Sequence, residues 1–311
     1  MGLESFPNLQ AKEIKINQEF DIEKALERPE SIFTEIDAPE NVKESNLKNY
    51  EKIILNEESL LGSGNAGIVF KESESACLKC VWESLSVEMK MKKFQLLSPR
   101  AQKLRHISEY FNEIREKRRR LSTSGFQFES DNAPLKEAGF QVAAKKILGT
   151  KGLEEMVPGL QGVLRFEDEE EGEIEGLPYY IGEKVLLISM ERVNGVNIED
   201  LILHYPENSE ILEKIDMPKF EQKLRAALQV IHGAGLCHKD LSIRNVMIDF
   251  ESGEPRLIDF GKAKKTSNSN EFEEENRLAD NILGHLKKFQ LNPEGKKKDL
   301  EAGYKKFEEK F

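Results

Sequence analysis

The apolar and polar positions of this 311-residue chain fall into stretches of different period. Over residues 50–71 they alternate as strands do, with Ile53, Leu55, Leu60, Ile68 and Phe70 interrupted by Gly62-Ser63-Gly64-Asn65-Ala66-Gly67. After the polar turn Glu72-Ser73-Glu74-Ser75, a third apolar run at 76–82 completes a strand followed by a β-hairpin. Residues 84–121 are helical in composition, with Leu104, Ile107, Phe111, Ile114 and Leu121 on one face and Arg118 intruding on it. Strand patterns recur at 162–166 and 184–190, separated by the acidic run Glu167-Asp168-Glu169-Glu170-Glu171-Gly172-Glu173, which reads as a solvated loop. Beyond Asn194-Gly195 the period is helical at 198–204 and again at 218–233, where Phe220, Leu224, Leu228 and Ile231 share one side. Residues 246–250 and 256–258 read as a hairpin closed by Glu251-Ser252-Gly253-Glu254-Pro255, and a helical tail runs from Glu271 onward.

Composition narrows the class. Hydrophobic residues make up 38% of the chain, enough to build cores for one large or two modest domains. Residues 1–50 are polar and broken by Pro7, Pro29 and Pro39, with helix-like pieces such as 22–26, and are expected to form a partly ordered extension. The longest apolar runs are too short to span a bilayer, and the start Met1-Gly2-Leu3-Glu4-Ser5 is unlike a secretory signal. The expectation is a cytoplasmic protein without a transmembrane segment. A net charge of −11 argues against general nucleic-acid binding. Three cysteines cannot make a disulfide framework, and Cys77 and Cys80, three apart on a strand, would point to opposite faces and could not clamp one metal.

Three clusters carry chemistry. Gly62-x-Gly64-x-x-Gly67-x-Val69 lies between two strands, so it is either a plain hairpin or a turn whose backbone N–H groups cradle phosphate; Ser63 sits within it. The absence of a following helix and of Gly-Lys-Ser/Thr excludes dinucleotide-binding and P-loop readings. Lys79, on the returning strand, is either an edge residue or a charge that reaches the phosphates of a nucleotide. The strongest signal is His238-Lys239-Asp240-Leu241-Ser242-Ile243-Arg244-Asn245, after an amphipathic helix and before a hairpin ending at Asp259-Phe260-Gly261. Asp240 can accept a proton from an attacking hydroxyl. The Asn245 amide oxygen, five positions later, and the Asp259 carboxylate can hold Mg2+. His238 reads as a packing residue, and Asp249-Phe250-Glu251, lacking a glycine, as a hairpin end.

In this order, over about residues 51–285, these motifs resemble those of the protein-kinase-like superfamily. The resemblance implies an α+β, bilobal protein-kinase-like fold, with an antiparallel β-sheet N-lobe carrying a helix (51–193) and a mainly helical C-lobe with its tail (194–311). It implies ATP and Mg2+ as cofactors, Asp240 as catalytic base, Asn245 and Asp259 as metal ligands, and Lys79 as the phosphate-binding lysine. Val69, Cys77 and Met247 would sandwich adenine, and Glu191 and Val193 would offer backbone contacts to it. Glu113 is the chosen helix partner of Lys79, with Glu88, Glu109 and Glu129 as competitors. Lys239 replaces the usual arginine, and Ser242 stands where serine/threonine kinases keep a lysine. Asp-Leu-Ser-x-x-Asn is similar to the Rio-type atypical kinases, and the lack of Ala-Pro-Glu past Gly261 leaves little room for an activation segment. The expected activity is γ-phosphoryl transfer to a serine or threonine of a protein, the enzyme itself included. The alternatives are a small-molecule or glycolipid kinase of the same fold, taking a small hydroxylated acceptor, and a catalytically dead scaffold.

Overall fold

A central strand without alternation, Val185-Leu186-Leu187-Ile188, is buried at every position and organises the first of two compact units. The computed structural model describes residues 10–37, 59–64, 67–89, 102, 103, 105–107, 109, 134–174 and 177–308. Among them the first unit holds strands β1 (Gln10–Ile16), β2 (Phe33–Asp37), β3 (Leu60–Gly64), β4 (Gly67–Lys71), β5 (Ala76–Met89), β6 (Leu160–Ile174) and β7 (Leu177–Glu191). They form an antiparallel sheet in the order β2-β1-β6-β7-β5-β4-β3. β7 pairs with β5 from Ala76↔Glu191 to Met89↔Tyr179 and with β6 from Leu160↔Met190 to Ile174↔Leu177.

Three stretches differ from their sequence expectations. Residues 84–89 are strand, not helix: Leu85, Val87 and Met89 alternate with Ser84, Ser86 and Glu88, and that period of two continues β5. Helix does occur at 105–107, where Ile107 is buried, whereas Leu104, Phe111, Ile114, Arg118 and Leu121 lie outside the described residues. The acidic run is strand as well, since β6 continues through it in register with β7, and Lys184 opposite Glu167 makes an ion pair with it. Among the described residues β1 covers β6 only as far as Glu167, so the charges beyond lie along an edge, where like charges discourage further strand addition. Residues 10–37, expected within a partly ordered extension, supply two strands to the sheet and a helix between them.

The second unit takes residues 19–31, 136–159 and everything from Arg192, so the chain does not divide at one point near Val193. It contains α1 (Ile22–Glu27), capped by Asp21, whose carboxylate accepts from the Lys24 N–H. Next comes α2 (Pro134–Gly149), a helix the periodicity does not reveal. Its Ala138, Phe140, Gln141, Ala143, Ala144, Ile147 and Leu148 are all buried, and a helix buried on several sides has no polar stripe to betray its period. Then follow β8 (Gly195–Asn197), α3 (Ile198–Leu203), α4 (Ser209–Lys214), α5 (Met217–Gly233), β9 (Leu236–Cys237), β10 (Val246–Asp249), β11 (Pro255–Leu257), β12 (Lys264–Lys265), α6 (Ser269–Leu291) and α7 (Pro293–Glu308).

α5 starts where the Asp216 side chain accepts from the Lys219 N–H, with Pro218 in the first turn. It buries Phe220, Leu224, Ala227, Leu228 and Ile231, the stripe foreseen from the sequence plus one alanine. α6 buries Glu275, Ala279, Ile282, Leu283, Leu286 and Phe289. Small sheets carry the loops between these helices: β10 pairs with β11 and β8, and β12 pairs with β9. No helix among the described residues is long and apolar enough to cross a membrane.

One of the tightest backbone approaches lies on α2. A Cβ added at Gly139 would sit 2.3 Å from the Pro29 carbonyl oxygen, just past α1, so only glycine allows this approach. Gly139→Ala is expected to lower unfolding stability by about 1–3 kcal/mol through backbone displacement. Gly303→Ala on α7, where an added Cβ meets nothing within 4 Å, should instead raise it by about 0.5–1 kcal/mol. Urea-unfolding midpoints of the two variants check both signs.

Candidate active site

The segment between β9 and β10 holds Asp240, and it is anchored from below by one carboxylate. Glu275 of α6, 2% exposed, accepts the backbone N–H of His238 at 3.2 Å and of Lys239 at 2.8 Å. It also meets the His232 ring nitrogen at 2.6 Å. Burial alone would push the Glu275 carboxyl up. The His232 hydrogen bond, the charge of His238 and the two amides outweigh it and hold the group below the ordinary carboxylate range. Lys239 adopts φ 63°, a left-handed conformation unfavourable to a side-chain-bearing residue, and its bonded amide holds it there. The neighbouring Cys237 thiol is pushed up to about 12, by burial first and by Glu275 second, so it stays protonated.

From this anchor the chain turns through Ser242 and returns at Asn245, which is 9% exposed. Its side-chain nitrogen donates to the Asp240 carbonyl at 2.8 Å, which leaves Oδ1 as the lone-pair donor of the amide. The Asn245 carbonyl in turn accepts the Ile258 N–H at 3.1 Å, bringing Asp259 beside it. Asp259 also sits at φ 63°, and its Oδ1 accepts the Gly261 N–H at 3.3 Å. Phe260 is fully buried with its ring 4.6 Å from that of His238, whose Nε2 is 3.0 Å from the Ile258 carbonyl. His238 is therefore a packing group. One amide oxygen and one carboxylate, on stretches joined by the Ile258–Asn245 backbone hydrogen bond, are hard oxygen donors of the kind Mg2+ takes, so these residue types fit that ion.

A second clamp holds the loop from the α3 side. The Glu199 N–H donates to the Ile243 carbonyl at 3.1 Å, and the Glu199 carboxylate receives Arg244 Nε at 2.8 Å. Arg244 also donates to the Tyr304 hydroxyl of α7 at 2.8 Å, and Tyr304 donates to Glu199. The Glu199 hydrogen bond first, then that of Tyr304, raises the Arg244 pKa above its ordinary value.

In the first unit, Lys79 stands on β5 in register with Val69 of β4 and Ile188 of β7, and is buried. Cys77, two residues earlier and hence on the same side of the strand, is buried as well; Cys80 faces the other way. All three cysteines are free. Gly62 pairs with Val69, Ser63 with Ile68 and Gly64 with Gly67, so the glycines form a hairpin; Asn65 and Ala66 lie outside the described residues. Glu191 ends β7, its carbonyl facing the Cys77 thiol at 3.9 Å, and Val193 follows it. Met247 lies on β10, in the second unit, between Asn197 and Arg256. Asp249 caps its own hairpin by accepting the Glu251 and Ser252 N–H groups, each at 3.0 Å, as a hairpin end should.

Glu113 and Glu129 lie outside the described residues. Of their competitors, Glu88 is on a strand, and Glu109 is an exposed partner of Arg105. The sequence reading passed over Glu137, buried on α2, whose Oε2 would lie 3.4 Å from a Cβ at Gly261. It also passed over Glu275, although its signal was present: counted from Glu275, apolar residues fall at +4, +7, +8, +11 and +14, which puts a charge inside a buried stripe.

Replacing Glu275 by Gln swaps one acceptor oxygen for a donor facing amides that are already donors. The expected loss is about 1–3 kcal/mol for each group left unpaired. Because the folded-state pKa is lowered, the stability it contributes is present above the ordinary value of 4.5 and is lost as pH falls through the folded value. Denaturant titrations over pH should show the wild type losing stability below about pH 4.5, with that part of the slope absent in Glu275→Gln.

The comparisons with known proteins agree with this geometry. A protein kinase domain model matches residues 174–282, from the end of β6 into α6. A probable serine/threonine-protein kinase, fnkB, of Dictyostelium discoideum is 38% identical over 84 residues, 27% of this chain and 15% of its own length. Protein kinase gsk3 of Schizosaccharomyces pombe is 40% identical over 57 residues, 17% of this chain and 15% of its own. Protein kinase MCK1 of Saccharomyces cerevisiae is 33% identical over 63 residues, 19% of this chain and 17% of its own. The chain thus spans under a fifth of the length of these curated relatives. The matched segment carries Asp240, Asn245 and Asp259 in one hydrogen-bonded arrangement, and over that segment, about a third of its length, the chain is similar to protein kinase domains.

Proposed function

We propose that this chain is an ATP- and Mg2+-dependent serine/threonine protein kinase of a compact, Rio-like type. The observation that carries the reading is the pair of bonds from Asn245 Nδ2 to the Asp240 carbonyl and from the Ile258 N–H to the Asn245 carbonyl. Together they hold a candidate base and two candidate metal ligands in one short stretch of backbone. The names of the matched relatives, all protein kinases, favour a protein acceptor over a small molecule.

In this reading Asp240 orients the acceptor hydroxyl and takes its proton. Mg2+, when bound by Asn245 and Asp259, supplies charge neutralisation at the phosphates. Lys79 and the backbone of Gly62, Ser63, Gly64 and Gly67 bind the phosphates, Val69, Cys77 and Met247 take the adenine, and the backbone of Glu191 and Val193 reads its edge. Glu113, which lies outside the described residues, is the proposed helix carboxylate that pairs with Lys79. The compact type is supported by the seven residues, 262–268, that separate Gly261 from the start of α6.

Transfer of radiolabelled phosphate from ATP to a general protein acceptor tests the proposal. Asp240→Asn should lose about 10²- to 10⁴-fold in rate, the contribution typical of a general base. It should keep the thermal stabilisation that Mg·ATP confers, about 2.7 kcal/mol at 100 times the dissociation constant. Full activity in Asp240→Asn, or no stabilisation by Mg·ATP in either protein, would overturn the assignment.

A further inference from the structure

The loop that carries Asp240 brings no lysine of its own toward the acceptor side. Ser242, two residues on, is a neutral hydroxyl, and Lys239 turns toward Glu271 and Glu274 at 3.6 and 4.0 Å. A cation arrives from another part of the chain. Lys262, immediately after Gly261, places Nζ 2.8 Å from Asp240 Oδ1. Its side chain is 58% exposed, so the pair is solvated and held weakly enough to exchange partners. Lys262 is also tied closely to the metal-ligand end of the site, because the Ala263 N–H donates to the Phe260 carbonyl at 3.0 Å and fixes the turn between them.

We propose that Lys262 is a catalytic residue, the mobile cation that neutralises the transferring phosphoryl group; this rests on the phosphotransferase reading above. With Lys262 on Oδ1, the second oxygen of Asp240 is the one that receives the acceptor hydroxyl. As the acceptor oxygen forms its bond to the γ-phosphorus, the bond from that phosphorus to the β,γ-bridging oxygen breaks and ADP leaves. The hydroxyl proton passes to Asp240, which becomes neutral and no longer holds the ammonium. Lys262, released from Asp240, then pairs with the phosphoryl oxygens on which charge is building. Its attraction is stronger at the transition state than in the resting enzyme, the condition for raising kcat.

The test uses full-length protein, Mg·ATP and the protein acceptor. Lys262→Met should lower kcat on the order of 10²-fold with KM for ATP little changed. Lys262→Arg should recover part of the rate, and adding Ser242→Lys to Lys262→Met should restore a cation to the same space and recover part of it too. Lys265→Ala, in the same segment but paired with Glu27 at 3.2 Å, should leave kcat unaltered and so exclude a general charge effect. Unchanged or increased kcat in Lys262→Met, or a loss confined to KM for ATP, overturns the proposal. An active wild type with inactive Asp240→Asn and fully active Lys262→Met sinks the Lys262 role alone. A wild type no more active than Asp240→Asn sinks the phosphotransferase reading and the role together.

Discussion

One buried carboxylate decides the shape of the segment that carries Asp240. Glu275 lies in the apolar stripe of α6, where a hydrophobic residue would pack at less electrostatic expense, and its charge is matched by a ring nitrogen and two backbone amides. Paired with water those amides would leave His238 and Lys239 free to choose other conformations. Paired with Glu275 they hold Lys239 at φ 63°, and that turn sets the direction in which Asp240 leaves β9. A buried group satisfied on every side rigidifies what it touches, and here it touches the segment that carries Asp240.

The rest of the site repeats that solution on a smaller scale. Asn245 uses its side-chain nitrogen to close the loop on itself and its carbonyl to draw in Ile258, so a single residue links Asp240 to the neighbour of Asp259. Glu199 does the same from α3, bonding to the Ile243 carbonyl through its amide and to Arg244 through its carboxylate. The Glu199 contacts join this segment to a helix, and those of Asn245 join it to itself and to the Asp259 stretch. The stretches that carry Asp240 and Asp259 are thereby positioned largely through backbone hydrogen bonds.

Those parts of the fold whose period was simple were legible in the sequence. The hairpin of glycines, the stripe of α5 and the β10–β11 hairpin stand where their spacing put them. α2 was not legible, because its burial on several sides leaves no contrast of polar and apolar faces. The acidic run misled because its composition suits a loop, whereas its place was fixed by the strand opposite, in which Tyr179, Ile181 and Lys184 carry the register. Within the site, Asp240, Asn245 and Asp259 could be picked out because their spacing is local. Glu137, Glu275 and Lys262 owe their positions to contacts across long stretches of chain, which no local pattern records.

The brevity of the link from Gly261 to α6 has a mechanical meaning. Seven residues span about 25 Å at most when fully extended, and two of them, Lys264 and Lys265, are already paired with β9. The helix that follows is the one bearing Glu275, so the same rod anchors Asp259 at its near end and the Asp240 segment along its side. A displacement of either is transmitted to the other as a tug on a short tether. The placement of α6 therefore bears on both stretches, on the Asp240 segment through Glu275 and on Asp259 through the short link.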